Sequence, residues 1–287
     1  MRYDCSRLLC TMAVGLAATG CTPAGDPEAM PAPAAAAAAA QPNVVEVRAR
    51  DFAFQAPREV PAGTTTIRLH NDGPDLHHVQ LIRLDEGHTL AELMAGMGQQ
   101  GPPPPWVHFV GGPNTPAPGG QSETTVTLHP GQYLMVCVIP GPDGVPHVAK
   151  GMLLPLTVTA ASGPPQPHPA ADVRMSLIDY NFVLDRDITA GRRTIHVETN
   201  ADQPHEVFIA QLAPGKTLQD LMAWVAQPSG PPPALPIGGT TSIERGVVNV
   251  VTADFAPGEY ALVCFHPDAR DGQPHFMHGM MRQITVH

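Results

Sequence analysis

The chain has 287 residues, with 34 prolines and 27 glycines but only 16 lysines and arginines, and its formal net charge is −10. This composition argues against a helical protein and is typical of short strands joined by many turns. The acidic balance argues against binding of nucleic acid or anionic membranes and favours a basic protein partner. The length is sufficient for two domains.

The N-terminus has the pattern of an export signal. Arg2 and Arg7 precede the apolar run Leu8–Ala18, and small residues follow. The tetrapeptide that ends at Cys21 resembles a bacterial lipobox, which implies that Cys21 becomes the lipidated first residue. An ordinary cleaved signal or a single anchoring helix is the alternative, but the run is short for a membrane span. We predict a signal peptide over residues 1–20 and an exported protein that is lipid-anchored to a bacterial membrane, facing the periplasm or the cell exterior.

The next segment, residues 21–43, is rich in proline and alanine and includes the unbroken run Ala34–Ala40. It contains too little apolar bulk to pack, so we predict a tether between the membrane and the folded part of the chain. A short alanine helix is the alternative.

The remainder of the chain is an internal repeat. Asp51-Phe52-Ala53-Phe54 matches Asp179-Tyr180-Asn181-Phe182 at a spacing of 128 residues, and the spacing is 127 at Tyr133 and Tyr260. We therefore predict one domain over residues 44–160 and a second over 172–287, joined by a linker at 161–171.

Within each repeat the apolar pattern is that of strands. In the first repeat we predict strands at Thr64–His70, Val79–Leu84, Thr124–Leu128 and Tyr133–Val138, because apolar residues alternate or form short runs between Gly and Pro clusters. The predicted fold class is all-β, with two tandem antiparallel sandwiches. Thr89 and Thr217 each begin a capping-box spacing, which predicts one short helical insertion in each repeat.

Each repeat also carries a histidine, a cysteine, a second histidine and a methionine in the same order. A thiolate at the end of an apolar strand, an imidazole after a loop and a thioether five residues further on can converge on one soft metal ion. Two imidazoles, a thiolate and a weak axial thioether form the ligand set of a blue-copper electron-transfer site. We predict one copper ion per domain and two per chain. The predicted ligands are His77, Cys137, His147 and Met152, and then His205, Cys264, His275 and Met280.

Other interpretations of these residues exist. A cysteine pair in an exported protein is commonly a disulfide, but Cys137 and Cys264 hold equivalent positions in two repeats, so bridging them would require two equivalent strand ends to meet. His77 is preferred to His78 because only His77 aligns with His205, and strand neighbours point to opposite faces. The two methionines could instead fill the cores.

The order of these motifs resembles the cupredoxins, the plastocyanin and azurin superfamily, over nearly all of residues 44–159 and 172–287. The resemblance implies a Greek-key β-sandwich with copper at one end, and the same ligands in each half. Two features differ. The cysteine-to-histidine loops hold nine and ten residues, closer to the two-domain copper nitrite reductases than to small cupredoxins. His78 and Glu206 stand where many members have an asparagine that ties the ligand loops together.

Copper oxidases and nitrite reductases need further histidines, commonly beside the cysteine. Cys137 lies between two valines, and Cys264 lies between Val263 and Phe265. The sequence therefore favours electron transfer over catalysis, with a basic cytochrome c or a copper enzyme as the redox partner. The alternatives are a periplasmic lipoprotein for copper storage, delivery or tolerance, a subunit of a copper oxidase or nitrite-reductase-like enzyme, and a sandwich that has lost its metal. The second repeat is richer in soft donors, which form either a solvated loop edge or a second, looser copper site that would suit copper handling; they are His266, Met277, His278 and Met281.

Overall fold

The computed structural model describes residues 43–96, 103–161, 163 and 166–287, all within one compact unit, Ala40–His287. The predicted signal peptide, the lipidated Cys21 and nearly all of the tether lie outside the described residues. Within the described ranges, every helix is too short or too polar to cross a bilayer.

Over its described residues, the first half contains nine strands and one short helix. Its elements are β1 Asn43–Arg50, β2 Ala53–Gln55, β3 Glu59–Pro61, β4 Gly63–Asn71, β5 Gln80–Leu84, α1 Leu90–Gly96, β6 Val107–Gly111, β7 Gln121–Leu128, β8 Gly131–Val136 and β9 Leu153–Thr159.

The second half repeats this plan with eight strands. Its elements are β10 Val173–Ile178, β11 Asn181–Leu184, β12 Gly191–Thr199, β13 His205–Leu212, α2 Leu218–Ala226, β14 Ala234–Ile243, β15 Val248–Phe255, β16 Gly258–Val263 and β17 Met281–Val286. A 3₁₀ helix precedes the last strand of each half, at His147–Lys150 and His275–His278.

The all-β prediction is confirmed, and each half is a sandwich with its own core. Apolar and polar residues alternate along the strands, so that one face of each strand packs in the core. In β1, for example, Val45, Val47 and Ala49 are buried and the residues between them are exposed. The first core also contains Tyr133 and Met152, and a separate cluster in the second half contains their counterparts Tyr260 and Met280. The domain boundaries themselves stay a prediction.

The two halves share both sheets. The eight-stranded sheet has the order β11-β10-β12-β15-β7-β4-β1-β2, and the nine-stranded sheet has the order β17-β16-β13-β14-β6-β5-β8-β9-β3. β7 pairs with its own counterpart β15, with Thr124 opposite Val251, and β6 meets its counterpart β14. Antiparallel pairing of equivalent strands gives the interface a local two-fold symmetry.

Several predicted elements differ in detail from those observed. The strand predicted to run to Val138 ends at Val136, and the strand predicted from Val79 starts at Gln80. Both predicted helix starts are confirmed, because Thr89 and Thr217 form reciprocal capping hydrogen bonds with Glu92 and Asp220. The linker packs on the first half, where His168 lies 2.6 Å from the Thr127 hydroxyl.

Candidate metal centres

The position of each cysteine follows from where its strand ends. Cys137 comes directly after β8, and Cys264 comes directly after β16. In the first half, the backbone N–H of Cys137 donates to the carbonyl of Met152 at 3.2 Å, and that of Met152 donates to the carbonyl of His147 at 3.0 Å. The backbone of the cysteine, histidine and methionine is thereby joined at one end of the sandwich. The second half repeats both bonds, at 3.1 and 3.0 Å.

A glycine before each methionine makes this turn possible. Gly151 has φ of 100° and Gly279 has φ of 99°, in the left-handed region that favours glycine. Each ends its 3₁₀ helix by donating its N–H to the carbonyl of the second histidine. The next residue, Met152 or Met280, then enters the core with 0% exposure. The Gly-Met pair is therefore a chain reversal that sends a thioether inward.

The first histidine of each quartet begins or precedes a strand. His205 is the first residue of β13, whereas His77 lies in the loop three residues before β5. The expectation that His77 lies within a strand is thus wrong, because the loop from Asp72 continues to Val79 before pairing begins. The prediction that His77 and not His78 accompanies the cysteine nevertheless holds, because His77 is the residue that lies in the cluster with Cys137 and His147. His78 has another role.

The predicted nitrogen and sulfur donors meet in both halves. In the first, His77 Nδ1 lies 3.2 Å from His147 Nδ1, and Cys137 Sγ lies 3.6 Å from His147 Nδ1. In the second half the corresponding distances are 2.9 Å and 3.4 Å. Within each half, the three donor atoms lie within 4.8 Å of one another, and all three residues are buried.

These distances fit one metal ion per half. Imidazole nitrogens and thiolate sulfurs about 2.0 to 2.3 Å from one ion lie about 3 to 4 Å from each other. Two nitrogens, a thiolate and a nearby thioether are a donor set suited to copper. Met152 and Met280 lie in the same buried clusters as Cys137 and Cys264, and axial ligation by their sulfurs stays a prediction. The disulfide alternative does not occur, since Cys137 and Cys264 are both free thiols.

A carboxylate orients the first imidazole of each centre. Asp51 Oδ1 lies 2.7 Å from His77 Nε2, and Asp179 Oδ1 lies 2.9 Å from His205 Nε2. With the proton of Nε2 donated to the carboxylate, Nδ1 keeps a free lone pair, and it lies 3.2 Å from His147 Nδ1 in the first half and 2.9 Å from His275 Nδ1 in the second. Sequence reasoning did not assign this role, although Asp51 and Asp179 recur at the same spacing as the histidines.

The aromatic residue after each of these aspartates packs on the second imidazole. The ring of Phe52 lies 4.9 Å from that of His147, and the ring of Tyr180 lies 5.7 Å from that of His275, both edge-on. One two-residue motif in each half therefore contacts both imidazoles of the centre.

His78 and Glu206 tie the ligand loops together by hydrogen bonds, as the asparagine of the resembling family would. The Val138 N–H donates to His78 Nε2 at 3.1 Å, and the Phe265 N–H donates to Glu206 Oε1 at 3.0 Å. In each half, the residue after the first histidine thus holds the residue after the cysteine. The loops are tied together by a different side chain in each half.

Burial sets the protonation of the predicted ligands in the absence of metal. It raises the pKa of the Cys137 thiol to about 11 and also raises that of Cys264, to which the Glu206 charge adds. It lowers the pKa of His147 and His205 and, together with the His205 charge, lowers that of His275 to about 4. Near neutral pH the metal-free protein therefore holds protonated Cys137 and Cys264 thiols, with His147, His205 and His275 neutral, so binding a metal must displace the thiol proton.

Comparisons with known proteins find likeness only in solved structures. No family model and no curated protein matches the chain. A reduced auracyanin from Roseiflexus castenholzii is 23% identical over 42% of this chain and 98% of its own, with a TM-score of 0.31. A multicopper oxidase is 16% identical over 85% of this chain and 88% of its own, with a TM-score of 0.25. A copper nitrite reductase from Nitrosomonas europaea is 12% identical over 86% of this chain and 94% of its own, with a TM-score of 0.26.

These likenesses are too weak to assign an activity, so the assignment depends on the chain's own residues. Each half is a β-sandwich that brings a histidine, a cysteine and a second histidine together at one buried end.

Proposed function

We propose that this chain is an electron-transfer protein with one blue-copper-type centre in each half. The observation that carries the proposal is the buried His-Cys-His cluster, formed twice with donor atoms within 4.8 Å. His77, Cys137, His147 and Met152 would hold one ion, and His205, Cys264, His275 and Met280 the other. Copper in such a centre supplies one-electron redox chemistry.

The protein's part in this chemistry is to keep the donors in place. Both thiols and all four imidazoles of the two clusters have 0% exposure. Asp51 and Asp179 fix the tautomer of the first imidazole, while His78 and Glu206 hold the cysteine loops. A centre supported in this way changes shape little when its oxidation state changes, which suits electron transfer. Burial also keeps bulk water away from the donors.

The test is metal reconstitution of residues 41–287. Added cupric ion should produce visible absorption and an electron paramagnetic resonance signal equivalent to two ions per chain. Cys137→Ser and Cys264→Ser should each remove one of the two centres. If neither substitution alters a visible band, the ligand assignment is wrong.

Copper storage or delivery is a second candidate, supported by soft donors near the second centre. Met277 is 63% exposed and Met281 is 38% exposed, and both flank the buried Met280. Exposed thioethers favour the cuprous ion. Binding of more than two ions per chain, with preference for the cuprous form, would favour this function over electron transfer. Enzymatic turnover of oxygen or nitrite, with a further copper signal, would favour a catalytic role instead.

The cellular setting belongs to the proposal as well. We infer export and a lipid anchor at Cys21 from the N-terminal residues, and a basic redox partner, a cytochrome c or a copper enzyme, from the net charge of −10. Mass spectrometry of the mature N-terminus tests the anchor. A strong loss of association rate with added salt tests the electrostatic partner.

A further inference from the structure

The inference concerns two residues at equivalent positions across the interface between the halves. Pro113 pairs with Thr240 in an antiparallel bridge. The next residues exchange matching bonds, since the N–H of Asn114 donates to the Gly239 carbonyl at 3.0 Å and the N–H of Thr241 donates to the Gly112 carbonyl at 2.9 Å. Asn114 and Thr241 are therefore related by the local two-fold symmetry.

Their side chains break this symmetry. Asn114 Nδ2 donates to Glu206 Oε2 at 3.2 Å and lies 3.4 Å from the Val207 carbonyl oxygen. The Thr241 hydroxyl instead donates to backbone carbonyls, those of Val79 at 3.1 Å and Gly112 at 3.3 Å. Asn114 thus reaches a side chain that supports the opposite metal centre, whereas Thr241 bonds to the backbone beside the other one.

Glu206 connects this contact to the cysteine of the second centre. Its Oε1 accepts the N–H of Phe265 at 3.0 Å, and its own N–H donates to Cys264 Sγ at 3.4 Å. Asn114 and Glu206 are both buried, with 3% and 7% exposure. A buried carboxylate that loses a hydrogen-bond donor must move or find another partner, so Asn114 restrains the group that holds the Cys264 loop.

We propose that Asn114, from the first half, is a positioning residue for the second metal centre. The first half thereby sets metal affinity and donor geometry in the second, while the symmetric contact through Thr241 has no such effect on the first. This inference rests on the proposed copper centre of the second half.

The main variant is Asn114→Thr, which places the counterpart's side chain at this position. In a Cys137→Ser background only the second centre takes copper. Loss of a contact that orients a ligand typically lowers metal affinity 10–100-fold. We expect chelator competition to show a cupric affinity at least about tenfold lower, with an altered visible and electron paramagnetic resonance spectrum.

Two further variants separate positioning from general loosening of the interface. Thr241→Val removes the symmetric hydroxyl and should leave the spectra and affinities of both centres unchanged. Asn114→Asp keeps the shape and still accepts the Thr115 N–H, which lies 2.8 Å from Asn114 Oδ1, but it faces Glu206 with a second acceptor. It should weaken the second centre at least as much as Asn114→Thr. An unchanged second centre in either Asn114 variant, or an equal effect of Thr241→Val, would overturn the inference.

A metal-free measurement distinguishes failure of the inference from failure of the proposed function. The Phe265 amide, bonded to Glu206, should exchange with solvent faster in Asn114→Thr. The equivalent Val138 amide, bonded to His78, should not change. If wild-type protein binds no copper in its second half, the proposed function fails there, and amide exchange still tests the positioning role. Equal exchange of Phe265 in wild type and variant would refute that role.

Discussion

Asp51 Oδ1 lies 2.7 Å from His77 Nε2, and this carboxylate leaves the other nitrogen of the imidazole, Nδ1, free at 3.2 Å from His147 Nδ1. His77 and Asp51 come from different loops. The geometry of the first centre therefore depends on the relative position of these two loops.

Replacing Asp51 should therefore weaken the first centre without removing a ligand. In a Cys264→Ser background, Asp51→Ala should lower cupric affinity about 10–100-fold in chelator competition. Asp72→Ala is the matched control, since Asp72 pairs with Arg48 at 2.8 Å in the same region and contacts no predicted ligand. Equal affinities for the Asp51 and Asp72 variants would contradict an orienting role.

Copper binding should become tighter as pH rises. Burial raises the pKa of Cys137 to about 11 and lowers that of His275 to about 4. From neutral pH upward the thiol must lose its proton to bind the ion, so the affinity of each centre should rise about tenfold per pH unit between about pH 7 and pH 10. Calorimetry in buffers of different ionisation enthalpy should detect about one proton released per ion. Each Cys→Ser substitution should abolish one of these protons, and a flat pH profile would argue against thiolate ligation.

Glu206 should make the stability of the metal-free protein depend on pH. Burial raises its pKa from 4.5 to about 7, against the hydrogen bonds from Phe265 and Asn114. A folded-state pKa above the unfolded value contributes stability at low pH, and this is lost as pH rises from about 4.5 to about 7.

Glu206→Gln removes this titration. The unfolding free energy of wild type relative to the variant should fall over that range by on the order of 3 kcal/mol, measured by urea denaturation of both proteins after chelation of metal. Parallel curves for the two proteins would show that Glu206 is not the group responsible.

Gly239 should tolerate no side chain. Its φ is 120°, and a Cβ atom would lie 1.9 Å from the carbonyl oxygen of Val207, two residues after the ligand His205. Gly239→Ala should cost at least about 3 kcal/mol of unfolding free energy and weaken the second centre. Gly246→Ala is the control, because Gly246 has φ of 84° with open space around it. That change should cost only about 1 to 2 kcal/mol. Similar losses for both variants would show that backbone strain, and not the close approach to Val207, decides the effect.

Local sequence was sufficient for much of the fold and for the composition of each centre. Alternating apolar residues predicted strands because a strand exposes its two faces in turn, as β1 shows. The capping boxes at Thr89 and Thr217 depend on residues only three apart, so the starts of both helices could also be predicted from the sequence. Duplication made the donor set recognisable, since the same order of His, Cys, His and Met recurs at nearly constant spacing.

What sequence alone determined, then, is a duplicated strand pattern and the types of donor that each copy carries, because both depend on neighbours along the chain. Only the tertiary structure decided which side chains support those donors. Asp51 meets His77 across 26 residues, and Asn114 meets Glu206 across 92, through a sheet pairing between the halves. Such contacts arise from the packing of distant segments, and neither local propensity nor spacing encodes which distant partner a polar side chain will meet.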